Sequence, residues 1–122
     1  MNTVHVHPTD KICEIILEGE QTEEVAHQTI VDAIRCDAEQ TRLNGRAITL
    51  VDFTKIGTYQ PSAMGNIVRG LSTLSFDKVA MLNAPAQIKA ALGPIIELMG
   101  RSEHVKFFTD RTAAVSWLHA SE

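Results

Sequence analysis

The stretch that most constrains the fold is residues 46–65, RAITLVDFTKIGTYQPSAMG. Within it, Ala47 to Phe53 is short, apolar and rich in β-branched side chains, which predicts a central strand buried on both faces. Asp52 stands at the end of this strand, and Pro61 suits the first position of a helix. We therefore predict that a polar loop after Asp52 connects a central strand to the start of a helix.

Two strands and a long helix are predicted before this stretch. Residues 3–7 alternate apolar and polar side chains and residues 11–17 are almost wholly apolar, so they predict an antiparallel hairpin, with Gly19 breaking the second strand. Thr22 is the predicted N-cap of the first helix, and Asn44-Gly45 is its predicted left-handed stop. Apolar residues near the helical period predict the buried stripe of this helix: Val25, Ala26, Ile30, Ala33 and Ile34.

The chain after residue 65 continues the same alternation. Lys78 to Leu82 and Val105 to Phe108 are apolar and predict two more strands. Asn83-Ala84-Pro85 predicts the start of a third helix, and Gly93-Pro94 should kink or split that helix because proline removes a backbone hydrogen bond. Asp110 is the predicted N-cap of a final helix.

This order of elements predicts an α/β fold. The N-terminal hairpin and the helix–strand units require a mixed sheet of about five strands with parallel central strands, right-handed crossovers and about four helices. The chain has 122 residues, of which 44% are hydrophobic, and this is enough to bury one core without disulfides or metal. We predict a single domain over residues 1–122.

Composition and charge exclude several classes of function. The net charge is −4, and the absence of any run of Lys or Arg argues against a nucleic-acid partner. Cys13 and Cys36 are isolated in the sequence, with neither metal-ligand spacing nor a CxxC motif, so they are predicted to be buried, reduced thiols, and a cytoplasmic location follows. The N-terminus lacks the regions of a signal peptide, and the apolar runs are too short to span a bilayer. No cofactor is implied.

The candidate site is predicted outside the carboxyl ends of the central strands. In parallel sheets function concentrates there, which selects the loop after Asp52 and, beside it, residues 83–85. Hydroxyl groups, a carboxylate and the free amides of a helix start could hold a polar ligand head there. The predicted ligand-binding residues are Asp52, Thr54, Thr58, Tyr59, Ser62 and Met64.

Three segments, in order, resemble one known family: LVDFTKIG, FDKVAMLNAPAQIKA and HVKFFTDRTAAVSWL. They resemble the SpoIIAA-like proteins of the STAS group, the sulfate-transporter and anti-sigma-factor-antagonist domains. The resemblance implies a STAS-like βα superhelix with a regulatory or ligand-proximal loop after Asp52. It also implies a phosphoacceptor at Ser62, where partner-switching antagonists carry a serine phosphorylated by an anti-sigma kinase. Gln60, Pro61 and Ala63 depart from the Asp-Ser-Ser-Gly pattern of those antagonists.

Several residues allow two interpretations. Ser62 is either a phosphoacceptor or a first-turn serine that satisfies free amides. His5 and His7 share one strand face and form either part of a metal site or a solvent-facing pair. The third helix has a wide apolar arc that either belongs to the core or flanks a pocket, a homodimer contact or a membrane surface: Ile88, Leu92, Ile95, Ile96, Leu98 and Met99.

The sequence thus predicts a non-catalytic STAS-like binding domain. Its partner is predicted to be a protein or a small apolar ligand near residues 54–65. An anti-sigma-factor-antagonist phosphoswitch at Ser62 is one alternative, and a peripheral membrane or lipid-binding carrier is another. An enzyme is not predicted, because no Ser-His-acid or Cys-His set can be assembled.

Overall fold

Five strands lie side by side in chain order. The computed structural model describes residues 2–59, 65–66, 68–70 and 77–120. The first strand runs antiparallel to the second, and each later neighbouring pair is parallel. The predicted hairpin and parallel central strands are therefore confirmed. The strands are β1 Thr3–Val6, β2 Cys13–Gln21, β3 Ile48–Tyr59, β4 Lys78–Leu82 and β5 Val105–Phe108.

The helices cover the two faces of the sheet unequally. They are α1 Glu23–Asn44, α2 with described residues 65–66 and 68–70, α3 Ala86–Leu98 and α4 Arg111–His119. Right-handed crossovers between strands in chain order place their helices on one face. Accordingly α1, α2 and α3 pack on one side, and α4 covers the other. No helix within the described residues is long and apolar enough to cross a bilayer.

Each face of the sheet has its own apolar core. Under α1 and α3 the buried side chains include Phe53, Met81 and Leu92, with Val68 of α2 packed against them. Under α4 the buried side chains include Leu50, Ala80 and Leu118. The central strands β3 and β4 contribute to both cores, as expected for strands covered on both faces.

Lys78 anchors the end of α4 although its side chain is buried. Its residue is only 6% exposed, and its Nζ donates hydrogen bonds to the carbonyls of Trp117 and Ala120 at 2.9 Å each. The ammonium also lies 5.0 Å from the centre of the Trp117 ring. A cation at a helix C-terminus satisfies free carbonyls and opposes the negative end of the helix dipole.

The predicted ends of α1 are confirmed, but its buried stripe is partly wrong. Thr22 accepts a hydrogen bond from the Val25 amide at 3.2 Å, and Gly45 adopts the left-handed conformation with φ of 76°. Ile34, predicted to be buried, is 41% exposed, and Val25 and Ile30 are only partly buried. Ala26 and Ala33 are buried as predicted, and three polar residues complete the stripe: Thr29, Asp37 and Gln40.

Polar burial along α1 has a clear physical reason. Gln40 is 1% exposed; it accepts a hydrogen bond from the Ile48 amide at 2.9 Å and donates to the Lys11 carbonyl at 2.5 Å. Gln40 thereby satisfies the buried amide of Ile48 and also bonds to the carbonyl of Lys11 before β2. The helix is attached to the sheet through hydrogen bonds as well as through apolar contact.

The predicted ends of β2 and β3 are wrong, since both strands are longer. β2 continues through Gly19 to Gln21, and β3 continues beyond Asp52 to Tyr59. Two register irregularities in the parallel ladder accommodate this extension. Gly57 allows it, because a Cβ at this position would lie 2.9 Å from the carbonyl carbon of Gly19. The segment after Asp52 is therefore strand up to Tyr59 and not a loop.

Of the kink or split predicted for α3 at Gly93-Pro94, the split is wrong, because the helix is continuous from Ala86 to Leu98, and the kink stays a prediction. Proline normally disfavours helical geometry at the preceding residue through contact with its Cβ, and Gly93 has no Cβ. Proline also leaves the Ala90 carbonyl without its helical donor, but Ala90 is exposed and water can bond to that carbonyl.

Candidate functional site

Asp52 and Thr54 lie within β3, beside Asn83, which directly follows the carboxyl end of β4. Their proximity to Asn83 was predicted, but β3 does not end at Asp52 as predicted. Asp52 Oδ1 accepts hydrogen bonds from the Thr54 amide at 2.9 Å and the Thr54 hydroxyl at 2.5 Å. The Asn83 side-chain amide donates to the Thr54 hydroxyl oxygen at 2.9 Å. This cluster joins β3 to the end of β4 through hydrogen bonds among its own members.

Tyr59 lies at the end of β3 and contacts α3. Its hydroxyl donates a hydrogen bond to Gln87 Oε1 at 2.9 Å, and its ring packs against the core under α1 and α3. Thr58 is exposed. The strand end is thus held from two sides, by pairing with Gln21 of β2 and by the bond to Gln87. Rigid elements position binding groups more accurately than loops do.

Ser62 and Met64, together with Pro61, lie outside the described residues. α2 is described from Gly65, three positions after Ser62 in the sequence. Their predicted roles stay predictions. The described part of α2 contributes Asn66, Val68 and Arg69, of which Val68 packs on the core and Asn66 is 3% exposed.

An open groove runs between the first turns of α1 and the described part of α2. It has a volume of about 820 Å³, and it adjoins the end of β3 because Thr22 follows Gln21, the pairing partner of Tyr59. In the groove Arg69 donates a hydrogen bond to Asn66 Oδ1 at 2.9 Å. Among the residues that the structure describes, those lining the groove are polar or charged: Thr22, Glu23, Glu24, His27, Gln28, Asn66 and Arg69.

The sequence predicted the surroundings of this groove but not the groove itself. Glu23 and Glu24 lie in the first turn of α1, where acids favour the helix dipole, and His27 is exposed on the same helix. Only the packing of α2 beside α1 brings Asn66 and Arg69 to the same place. The spacing of Asn66 and Arg69 at i and i+3, which puts both on one helix face, was the one available signal.

A second polar cluster joins β1, β2 and α4. Glu14 of β2 is 5% exposed; it accepts hydrogen bonds from Arg111 and, at 2.8 Å, from His5 Nε2. Arg111 also lies 3.4 Å from Asp10. Burial alone would raise the pKa of the Glu14 carboxyl, but the bonds from His5 and Arg111 outweigh burial, and the net pKa is lowered.

The histidines of this cluster have local partners. His5 and His7 share one side of the hairpin as predicted, with ring centres 6.4 Å apart. His7 Nδ1 accepts hydrogen bonds from the amides of Thr9 and Asp10. Among residues 2–59, 65–66, 68–70 and 77–120, no three His, Cys, Asp or Glu side chains are grouped to hold a metal. His5 thus bonds to Glu14, and His7 bonds to the turn after β1.

The apolar arc of α3 is mostly core. Ile88, Leu92 and Ile96 are buried, and Ile95 and Met99 are half-buried. Leu98 projects into solvent and is 87% exposed. Single exposed apolar side chains are common on protein surfaces. A homodimer or membrane contact through α3 stays a prediction.

The fold is shared with solved structures. An uncharacterised DUF3478-family protein from Shewanella loihica PV-4 with a SpoIIAA-like fold matches with a TM-score of 0.62 at 20% identity, over 97% of this chain and 92% of that chain. The chain has a SpoIIAA-like fold. The anti-sigma factor antagonist SpoIIAA in its unphosphorylated form matches this fold with a TM-score of 0.59 at 14% identity, over 99% and 100% of the two chains.

A further structure with the SpoIIAA-like fold is the Bacillus cell fate determinant SpoIIAA in its phosphorylated form. It matches with a TM-score of 0.53 at 16% identity, over 93% of this chain and 96% of that chain. No protein-family model and no curated protein matches the sequence. The likeness confirms the predicted STAS-like architecture, a mixed five-stranded sheet with four helices.

Proposed function

We propose that residues 1–122 form one non-catalytic, STAS-like regulatory domain that binds a protein partner. The proposed recognition surface consists of the end of β3, residues 58–59, and the groove between α1 and α2. The observation that carries the proposal is the position of this groove: a wide polar groove adjoins a strand end held on both sides by Gln21 and Gln87. The anti-sigma antagonist that shares the fold supports a regulatory role.

The chemistry of the groove favours a protein over a small apolar ligand. Sites for small apolar molecules are lined mainly by apolar and aromatic side chains, whereas the described residues that line this groove are all polar or charged types. Carboxylates of Glu23 and Glu24 lie on one side and the guanidinium of Arg69 on the other. Charges of both signs on an open surface suit a partner with a complementary pattern, which directs encounter and orientation.

Charge reversal in the groove tests the proposal. Glu24→Lys changes the charge of an exposed residue at the groove, and Glu103→Lys makes the same change at an exposed residue outside the groove. Each purified protein is immobilised, exposed to a lysate of the source cells, and the bound proteins are quantified by mass spectrometry. We expect a specific partner to bind the wild type and Glu103→Lys and to be reduced at least about tenfold by Glu24→Lys.

The captured protein is then purified and its Kd measured for the same three proteins. Equal loss of binding by both variants indicates a general charge effect and contradicts a specific groove. A partner that binds all three proteins equally places recognition elsewhere. Native mass spectrometry of the freshly purified protein tests the small-ligand alternative, which requires a bound mass that survives desalting.

A phosphoswitch at Ser62 is the second candidate. The observation that favours it is the fold shared with SpoIIAA, whose structure exists in phosphorylated and unphosphorylated forms. A phosphate close to the start of α2 would interact with the free amides and positive dipole of that helix. Incubation with a partner kinase should phosphorylate the wild type and the control Ser102→Ala but not Ser62→Ala. Phosphate mapped to another residue contradicts this candidate.

A further inference from the structure

The two cysteines lie in contact although 23 positions separate them in the chain. Cys13 is on β2 and Cys36 is on α1, and their Sγ atoms are 2.6 Å apart. No disulfide joins them; Cys13 is buried as predicted and Cys36 is only partly buried, while their reduced state stays a prediction. A disulfide requires its sulfurs to approach to about 2.05 Å. The geometry of this pair therefore needs only a small shift to form one.

The two thiols have different environments. Cys13 is 2% exposed and faces α1 from the sheet, whereas Cys36 is only partly buried. The hydrogen bond with Cys13 lowers the pKa of Cys36, against the opposing effects of burial and of Asp37. The same bond, together with burial, raises the pKa of Cys13. An oxidant from solvent therefore meets Cys36 first, and Cys36 is the better nucleophile of the two.

We propose that Cys13 and Cys36 form an oxidation site that closes to an intramolecular disulfide with a peroxide as oxidant. The Cys36 thiolate attacks one peroxide oxygen, the O–O bond breaks, and a sulfenic acid and hydroxide form. The Cys13 sulfur then attacks the Cys36 sulfur, the S–O bond breaks, and the Cys13 proton leaves with the hydroxyl group as water. Two thiols are oxidised, and one hydrogen peroxide is reduced to two waters.

This site is separate from the proposed recognition surface but acts on the same helix. Cys36 lies in α1, whose first turns line the groove. A disulfide would join α1 covalently to β2. Gln40 already attaches the same helix to β3 through its hydrogen bond with the Ile48 amide. The proposal concerns the thiol chemistry alone, so its test is independent of any partner.

Intact-mass spectrometry tests the site. Reduced wild-type protein treated with hydrogen peroxide should lose about 2 Da, and after denaturation it should accept no maleimide, whereas the untreated protein accepts two. Treatment with dithiothreitol should restore both thiols. Peroxide-treated protein that still accepts two maleimides, or that forms only disulfide-linked dimers, would overturn the proposal.

Single variants distinguish the roles of the two thiols. Cys13→Ala should leave a Cys36 sulfenic acid, seen as a gain of about 16 Da and trapped by dimedone. Cys36→Ser should show no oxidation during the time in which the wild type reacts completely, and oxidation of Cys13 at the wild-type rate would contradict the assignment. Circular dichroism establishes that each variant is folded.

A rate comparison on the wild type requires no variant. Disulfide closure should be at least about tenfold faster in the folded protein than in guanidinium chloride, because the fold holds the two sulfurs together. Equal rates in the two conditions would overturn the proposal.

Discussion

Gly57 of β3 packs directly against the backbone of Gly19 in β2. A Cβ added to Gly57 would lie 2.9 Å from the Gly19 carbonyl carbon and 3.1 Å from its oxygen. Side chains essentially never approach backbone atoms so closely, so one strand would have to move. This contact allows β3 to extend to Tyr59 and therefore positions the end of the strand beside the groove.

Gly57→Ala should lower the free energy of unfolding by about 1–3 kcal/mol, as overpacking at a rigid contact does. Urea denaturation monitored by circular dichroism measures it. Gly65→Ala is the control, because Gly65 is an exposed helical residue and a Cβ there meets no atom within 4 Å. In a helix this change should raise stability by about 0.5–1 kcal/mol. A Gly57→Ala protein as stable as the wild type would contradict the close packing.

Protonation of Glu14 should make the free energy of unfolding depend on pH in the acidic range. Its pKa is below the ordinary value of 4.5, so the folded state favours the carboxylate. The stabilisation is fully present above about pH 4.5 and is lost as pH falls through the lower folded pKa. Glu14→Gln should therefore cost about 1–2 kcal/mol at pH 7 and should show a shallower loss of stability between about pH 5 and pH 3.

Glu39→Gln is the control for this pH dependence. Glu39 also has a lowered pKa, because Arg42 donates a hydrogen bond to its carboxylate, but this pair is on the surface. Exposed ion pairs contribute little to stability, so the urea midpoint of Glu39→Gln should follow that of the wild type at every pH. A Glu14→Gln profile parallel to the wild type would contradict the role of the buried carboxylate.

Gln40→Leu should destabilise the protein strongly. The substitution keeps the side chain near its original size but leaves the Ile48 amide and the Lys11 carbonyl without the partners they now have. Buried groups without partners cost about 1–3 kcal/mol each, so we expect a loss of about 2–4 kcal/mol in urea denaturation. Gln28→Leu makes the same change at an exposed position of α1 and should alter stability by less than about 0.5 kcal/mol.

Asn83 combines two effects that substitutions can separate. Its φ is 56°, which asparagine tolerates better than alanine, and its side chain bonds to Thr54. Asn83→Ala removes the bond and adds backbone strain, so it should cost about 1–2 kcal/mol. Asn83→Gly removes only the bond and should cost less. Equal melting temperatures of the Asn83→Ala and Asn83→Gly proteins would contradict a cost of backbone strain at this position.

The sequence alone predicted most of the architecture. The strands β4 and β5, the caps Thr22 and Asp110, and the stop at Gly45 depend on local signals: short apolar runs, side chains that bond to free amides, and a residue that tolerates positive φ. These signals are contained in a few neighbouring residues. Once these elements were predicted, their order along the chain was sufficient to predict parallel central strands.

The errors occurred where distant residues decide the structure. A polar segment such as residues 54–59 is a strand only because β2 provides a partner for it, and Gly57 is interpretable only beside Gly19. Cys13 and Cys36 meet only after α1 has packed on β2, and no spacing rule anticipates such contacts. Asn66 and Arg69 likewise belong to the groove through the packing of α2 beside α1. Local sequence carries no information on these pairings.

The serial order of the strands also has a consequence for biosynthesis. Each strand from β2 to β5 pairs with the strand that precedes it in the chain. Each new strand can therefore add to a sheet edge that is already present. A growing polypeptide can thus build this sheet from its N-terminal hairpin outward during translation, without waiting for a distant segment to be inserted between strands already paired.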